Sequence, residues 1–407
     1  MVDKNKKYLY PVLCVLALAV SLFPVACNYI MTGGIIGEWI ARVEELAAGL
    51  GAGKMYFFPS GDVIVNTAAN GNAMNSNLWF FFSAVLYKLT GNIVLAYRIS
   101  MIFLQAGTLL GAVLFFQRIF AKEEDKFAAC FGILLYMTCP FRIYVCYEQA
   151  NMCRAIVWML LPFYGWAVAG LLQGGKRTKN LLLAGLILAA LGYADAVMFV
   201  VVAGLTVVCG VLEKKWWSLL STALSTALFA PGLLRLAQHL FLDYFADWNL
   251  YAGVIMDRGY RFGELFTVYA WKDGHPGMGL GLMICMIAGL WLWFVRGKKE
   301  ECKIFKGITV AALIFMGMSL RYFPWDYLQR AGGFMQKFVA LMETPGIFAE
   351  MAFGAFCIPA ASIVNRIRKE ENQLLAYAVP LIILVACIAI CIFQCNTLTY
   401  TKVPMIF

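Results

Sequence analysis

The chain has 407 residues, 62% of them hydrophobic and 14% charged, with a formal net charge of +10. Soluble domains carry roughly a quarter charged residues. The shortfall here runs along the whole length, which excludes a soluble domain on one anchor and points to a polytopic membrane protein. Runs of about 20 apolar residues without period-two alternation exclude a β-barrel and leave helices as the spanning element.

The surplus of positive charge does not indicate nucleic acid. Basic residues cluster in short stretches between apolar runs: Lys122 and Lys126; Lys176, Arg177 and Lys179; Lys214 and Lys215; Arg296, Lys298, Lys299, Lys303 and Lys306; Arg366, Arg368 and Lys369. That distribution follows the positive-inside rule of membrane topology, so these clusters are taken as inner loops. Most of the thirteen cysteines fall inside apolar runs with no CxxC pair, as small packing residues do. With only His239 and His275 available, a zinc site is not expected.

In chain order, the basic start at Lys4, Lys6 and Lys7 precedes an apolar stretch over 8–30, long enough to span and so not expected to be a cleavable leader. An outer segment, 31–76, follows. Residues 77–89 are apolar but too short to cross, and predict a buried or re-entrant helix. Further spans are expected at 92–118, 127–147, 155–172, 181–194, 196–212, 216–237, 277–295, 307–320, 346–364 and 373–394. Outer loops over 240–276 and 321–345 separate some of them. The expected fold is all-α: one integral membrane domain over 1–407, a transmembrane bundle of about 11 spans, N-terminus inside and C-terminus outside. Inner loops are minimal while the outer segments are long and polar, so any function is expected on the outer side.

The first outer segment predicts a short helix over 37–49. Trp39, Val43, Leu46 and Leu50 make an apolar stripe that could lie on the membrane surface. Glu38 and Arg42 are four apart and can pair. Two readings stand: an interfacial helix with solvated charges, or Glu38 as a general base with Arg42 holding it or a phosphate. Arg98, Arg142 and Arg154 fall at outer span ends, where an arginine needs a partner or a polar cavity, and Glu148 and Asp195 are candidate partners. Such a group suits a lipid phosphate; snorkelling to ordinary headgroups is the plainer alternative. Asp195 lies between two apolar runs, as a tight turn or an intramembrane carboxylate. The stretches Asp257–Arg261, with Tyr260, and Trp271–His275 mix aromatic, acidic and basic residues as sugar-binding loops do, and as solvated loops do. No Walker-type loop, Rossmann fingerprint or GxSxG occurs.

Four stretches resemble the YfhO-type branch of bacterial GT-C-like membrane proteins. They are Trp39-Ile-Ala-Arg42-Val-Glu-Glu-Leu; Asn77 through Gly91 with Tyr97-Arg98; Leu135-Tyr136-Met-Thr-Cys-Pro140-Phe-Arg142-Ile-Tyr with Leu160-Leu-Pro162; and Tyr322-Phe-Pro324-Trp325-Asp326-Tyr. The resemblance implies a helical fold with an outer-facing site in the plasma membrane. It implies transfer of a sugar from a polyprenyl-phosphate donor to a cell-envelope acceptor. Its partners would be membrane lipid and that lipid-linked sugar, with no cofactor required and a divalent metal compatible. Carried onto this chain, Glu38 is the base with Asp195 as substitute. Arg42, Arg98, Arg142 and Arg154 hold the donor phosphate, and Asp257, Tyr260, Arg261 and His275 form an acceptor or sugar loop. The chain departs from the family where an Asp and a His usually precede the arginine matching Arg42, since Ile35 and Trp39 stand there. Gln149 and Arg154 replace an arginine and an acid, and Glu343-Thr-Pro345-Gly346-Ile347 replaces a glutamine-Phe-Pro-Trp-Arg motif. Either the carboxylate role has moved or catalysis has been lost, which leaves a lipid-binding, flippase-like or assembly protein on the same scaffold.

Overall fold

The computed structural model describes residues 2–26, 30, 35–59, 75–121, 126–172, 177–212, 216–241, 256–267, 276–296, 303–333, 335–336, 339, 345–369 and 373–401. His275, the stretch 271–275, Glu343 and the basic positions Lys122, Lys176, Lys214, Lys215, Lys298 and Lys299 lie outside them. The described residues form helices and no strand; Tyr260 and Leu320 make one isolated parallel bridge. The main helices are α1 (Val2–Leu22), α2 (Ile36–Gly51), α3 (Phe81–Thr90), α4 (Ile93–Ile119), α5 (Lys126–Met137), α6 (Met152–Leu172), α7 (Arg177–Ala194) and α8 (Ala196–Leu212). They continue as α9 (Trp216–Leu228), α10 (Ala230–Phe241), α11 (Gly279–Arg296), α12 (Lys303–Ser319), α13 (Trp325–Arg330), α14 (Gly346–Lys369) and α15 (Gln373–Thr401). Three are long and apolar enough to cross a membrane: Ile93–Ile119, Met152–Leu171 and Gly346–Ile363. The number rises to five if each of two bent pairs is one span.

Both bends have a proline behind them. Pro140 has no N–H and cannot continue α5. The chain turns by 41° into Pro140–Glu148, and the Thr138 hydroxyl donates back to the Leu134 carbonyl at 2.8 Å. Pro231 likewise has no N–H for the preceding turn, and α9 meets α10 at 70°. Arg142 repairs the first break. Its side chain is fully buried, its Nε donates to the Met137 carbonyl at 3.2 Å, its Nη2 reaches the same oxygen, and its Nη1 donates to Gln105 Oε1.

The short segment 77–90 is a 3-10 turn leading into α3. Ser76 caps it by accepting from the Leu78 amide at 3.0 Å, and Trp79 Nε1 donates to the Ala190 carbonyl at 3.0 Å. It ends at Gly91, whose φ of 64° places it in the left-handed region while its N–H closes on Tyr87 at 2.8 Å. Gly91→Ala adds a Cβ to a left-handed residue and is expected to destabilise the protein by about 1 kcal/mol. A lower melting temperature in detergent checks this, with the exposed Gly51→Ala as a comparison.

Two apolar clusters form the core. One joins α2, α3, α4, α6, α7 and α8; the other joins α1, α5, α11, α14 and α15. The stripe of α2 differs from its sequence reading. Trp39, Val43 and Leu46 are buried inside the first cluster, and Trp39 meets Tyr97 edge-on at 5.6 Å. This stripe therefore packs against protein and is not laid on a membrane surface. Aromatic and aliphatic partners on α3 and α4 remove it from solvent as effectively as lipid would.

Candidate functional site

The N-terminal ends of α2, α6, α8 and α14 bring four segments, distant in sequence, to one place. Helix α2 is tied there by the Ile35 amide, which donates to the Gln149 carbonyl at 3.0 Å. Glu38 in its first turn pairs with Arg42 one turn on, at 2.6 Å. Arg42 has no exposed side-chain surface. It also donates to the Asn75 carbonyl at 3.2 Å and lies 5.6 Å from the centre of the Phe80 ring. Phe80 supplies a face for a cation held out of water.

Asn75 is a crosslink that sequence reading did not single out. Its carbonyl takes Arg42, and its side-chain oxygen accepts from the Ala196 amide at 3.2 Å. That amide opens α8, whose cap is Asp195. One oxygen of Asp195 accepts from the Val197 and Met198 amides, both at 3.0 Å. The tight-turn reading of Asp195 describes its backbone; its second oxygen faces elsewhere. Asp195 Oδ2 stands 3.9 Å from Arg154 Nε.

Arg154 is set by its own helix start, where its amide donates to Asn151 Oδ1 at 3.1 Å. Its Nη1 donates to Glu350 Oε1 at 2.9 Å. Glu350, in α14, is fully buried, and its second oxygen has no hydrogen-bond partner. Cys153, next to Arg154 at the start of α6, is buried within electrostatic reach of Arg42, Glu38 and Asp195. Arg235 flanks the assembly. It stands over the Phe58 ring at 4.6 Å, donates to the Pro59 carbonyl at 3.4 Å and feels the charge of Arg42. Three carboxylates, those of Glu38, Asp195 and Glu350, thus stand beside two guanidiniums, those of Arg42 and Arg154. The side chains with some exposure are Arg154 at 14%, Glu38 at 8% and Asp195 at 7%.

The remaining candidates lie in other surroundings. Arg142 is buried between Met137 and Gln105, in the electrostatic field of Cys391 and Cys395 on α15. Arg98 is half-buried in the second turn of α4. Asp257 is 69% exposed and pairs with Arg321 at 2.9 Å. Arg261 is exposed, and its amide donates to Glu264 Oε2 at 2.7 Å. Tyr260 is buried against Phe141 and Phe353 and donates to the Pro276 carbonyl at 3.0 Å. Burial pushes its hydroxyl well above the usual phenol range, and nearby acids add to the effect. Tyr260 therefore works as a packing residue, and its ring offers no face to a sugar.

Glu350 was missed, although one signal for it existed: a lone carboxylate five residues into an 18-residue apolar span is costly without a partner. Among the described residues, no three His, Cys, Asp or Glu side chains come together in a way that could hold a metal ion. No protein-family model matches the chain, and a search of curated proteins returned no match.

Proposed function

We propose that this chain is a GT-C-like polytopic protein of the plasma membrane, with about 11 spans. It transfers a sugar from a polyprenyl-phosphate donor to a cell-envelope acceptor at its outer face. The observation that carries the reading is that the pairs Glu38–Arg42 and Arg154–Asp195, from three separated stretches of chain, are joined through Asn75. A transfer of this kind needs a carboxylate and a phosphate-holding cation side by side. The acceptor oxygen bonds to the sugar carbon as the bond from that carbon to the phosphate oxygen breaks. The acceptor proton passes to the carboxylate, and the leaving phosphate keeps the electron pair beside a guanidinium. The resemblance to the YfhO-type branch, the apolar helices and the positive-inside distribution support the same reading.

A second reading rests on a specific observation. Glu38 is held against an enclosed guanidinium, and one oxygen of Asp195 is engaged by two helix amides. Both contacts occupy carboxylate oxygens that proton abstraction would use. A lipid-binding or assembly protein on the same scaffold would show this.

Glu38→Gln and Asp195→Asn separate the two readings. Under the transferase reading, at least one of them lowers glycan transfer in proteoliposomes about a hundredfold or more, as loss of a general base does. Transfer is compared per folded protein, because Glu38→Gln removes the charge that faces the enclosed Arg42 guanidinium. Full transfer by both variants would remove the carboxylates from the chemistry and leave the scaffold reading.

A further inference from the structure

We infer that Glu350 is a positioning residue: it fixes the guanidinium of Arg154 beside Asp195, so that Arg154, and not Arg42, receives the donor phosphate. This rests on the transferase reading above. The two arginines of the site differ in what surrounds them. Arg42 is closed off, with no exposed side-chain surface, and is engaged by Glu38, the Asn75 carbonyl and the Phe80 ring. Arg154 keeps 14% exposure, and its contact with Asp195 at 3.9 Å is longer than a hydrogen bond. Its contact with Glu350 at 2.9 Å is a true charge-assisted bond.

An incoming anion would therefore replace Asp195 at Arg154 and leave the Glu350 bond intact. That exchange also acts on Asp195. Its first oxygen stays with the Val197 and Met198 amides, while Oδ2 is released from Arg154 and left available to an acceptor hydroxyl. The buried Glu350 carboxylate, with Oε2 unpartnered, is compensated by the guanidinium it holds. A buried acid so placed keeps an arginine from swinging toward solvent, because release would strand its own charge.

The test uses the full chain in proteoliposomes or detergent, with bare polyprenyl phosphate and a polyprenyl-phosphate hexose as probes. Glu350→Gln retains an oxygen acceptor for Nη1 but removes the charge. It is expected to weaken binding of both probes several-fold, measured on the folded fraction. Arg154→Gln weakens binding of both about tenfold or more, the value of one charged hydrogen bond. The Glu350→Gln/Arg154→Gln double variant binds no worse than Arg154→Gln alone, because Glu350 acts through Arg154. Additive losses in the double variant, or unchanged binding in Glu350→Gln, would overturn the assignment. A merely structural Glu350 would lower the melting temperature while the folded fraction bound normally, which overturns it as well. If the wild-type protein binds neither probe, the transferase reading itself fails and this assignment falls with it. Wild-type binding that survives Glu350→Gln removes the assignment alone.

Discussion

Arg142→Met lowers the stability of the protein by about 2–4 kcal/mol, the sum of two buried acceptors left without donors. The carbonyl of Met137, stranded where Pro140 ends α5, loses both of its guanidinium donors, and Gln105 Oε1 loses the third. Methionine fills most of the volume, so the change reports lost hydrogen bonds more than a cavity. Thermal unfolding in detergent reads it directly. Arg118→Met is the comparison: Arg118 donates to the Trp166 carbonyl at 3.2 Å but is only partly buried, and its loss is expected to cost under about 1 kcal/mol. Equal melting temperatures for the two variants would show that Arg142 does not hold the break together. The position matters beyond α5, because the segment Pro140–Glu148 leads through Ala150, a non-glycine residue at φ 50°, to the start of α6 where Arg154 stands.

Arg154→Met has a different cause and a comparable size. It leaves the Glu350 carboxylate fully buried without its cation, and breaking a buried pair from one side costs about 3–5 kcal/mol. Adding Glu350→Leu to that variant restores stability to within about 1 kcal/mol of wild type, since an apolar pair avoids the desolvation that the ions incur. The restored double variant is expected to be folded and inactive. Such a split between stability and transfer marks the pair as retained for the site and not for the fold. A double variant as unstable as Arg154→Met would instead mean that the surroundings cannot close over two apolar side chains. Its full transfer activity would remove both residues from the mechanism.

Particular residues show how far the chain could be read without coordinates. The tight turn at Asp195 and the stopped helix at Gly91 are local, set by a capping carboxylate and a left-handed glycine. The pair Glu38–Arg42 is also local, since four-residue spacing on a helix places the two side chains together. The direction of the α2 stripe was not legible, because an apolar face looks the same whether lipid or protein covers it. Nor could spacing separate Arg142 from Arg154. Both lie at or near the end of an apolar run, yet one secures a broken helix and the other joins two acids. Tyr260 shares its composition with sugar-binding loops, and only its neighbours Phe141 and Phe353 show it to be core.

By itself, the sequence determined an all-helical chain with apolar helices long enough to cross a membrane, and which charges lie one turn apart. These depend on hydropathy and short-range spacing, both of which act within a few residues. The same hydropathy ran single spans through the breaks at 138–139 and 229. Only the tertiary structure decided that Arg154 reaches Asp195 and Glu350, and that Asn75 links Arg42 to α8. Those contacts join residues 41 and 196 positions apart in the first case and 33 and 121 in the second. A buried charge records in the sequence that it needs a partner, but which partner it finds depends on how the helices pack.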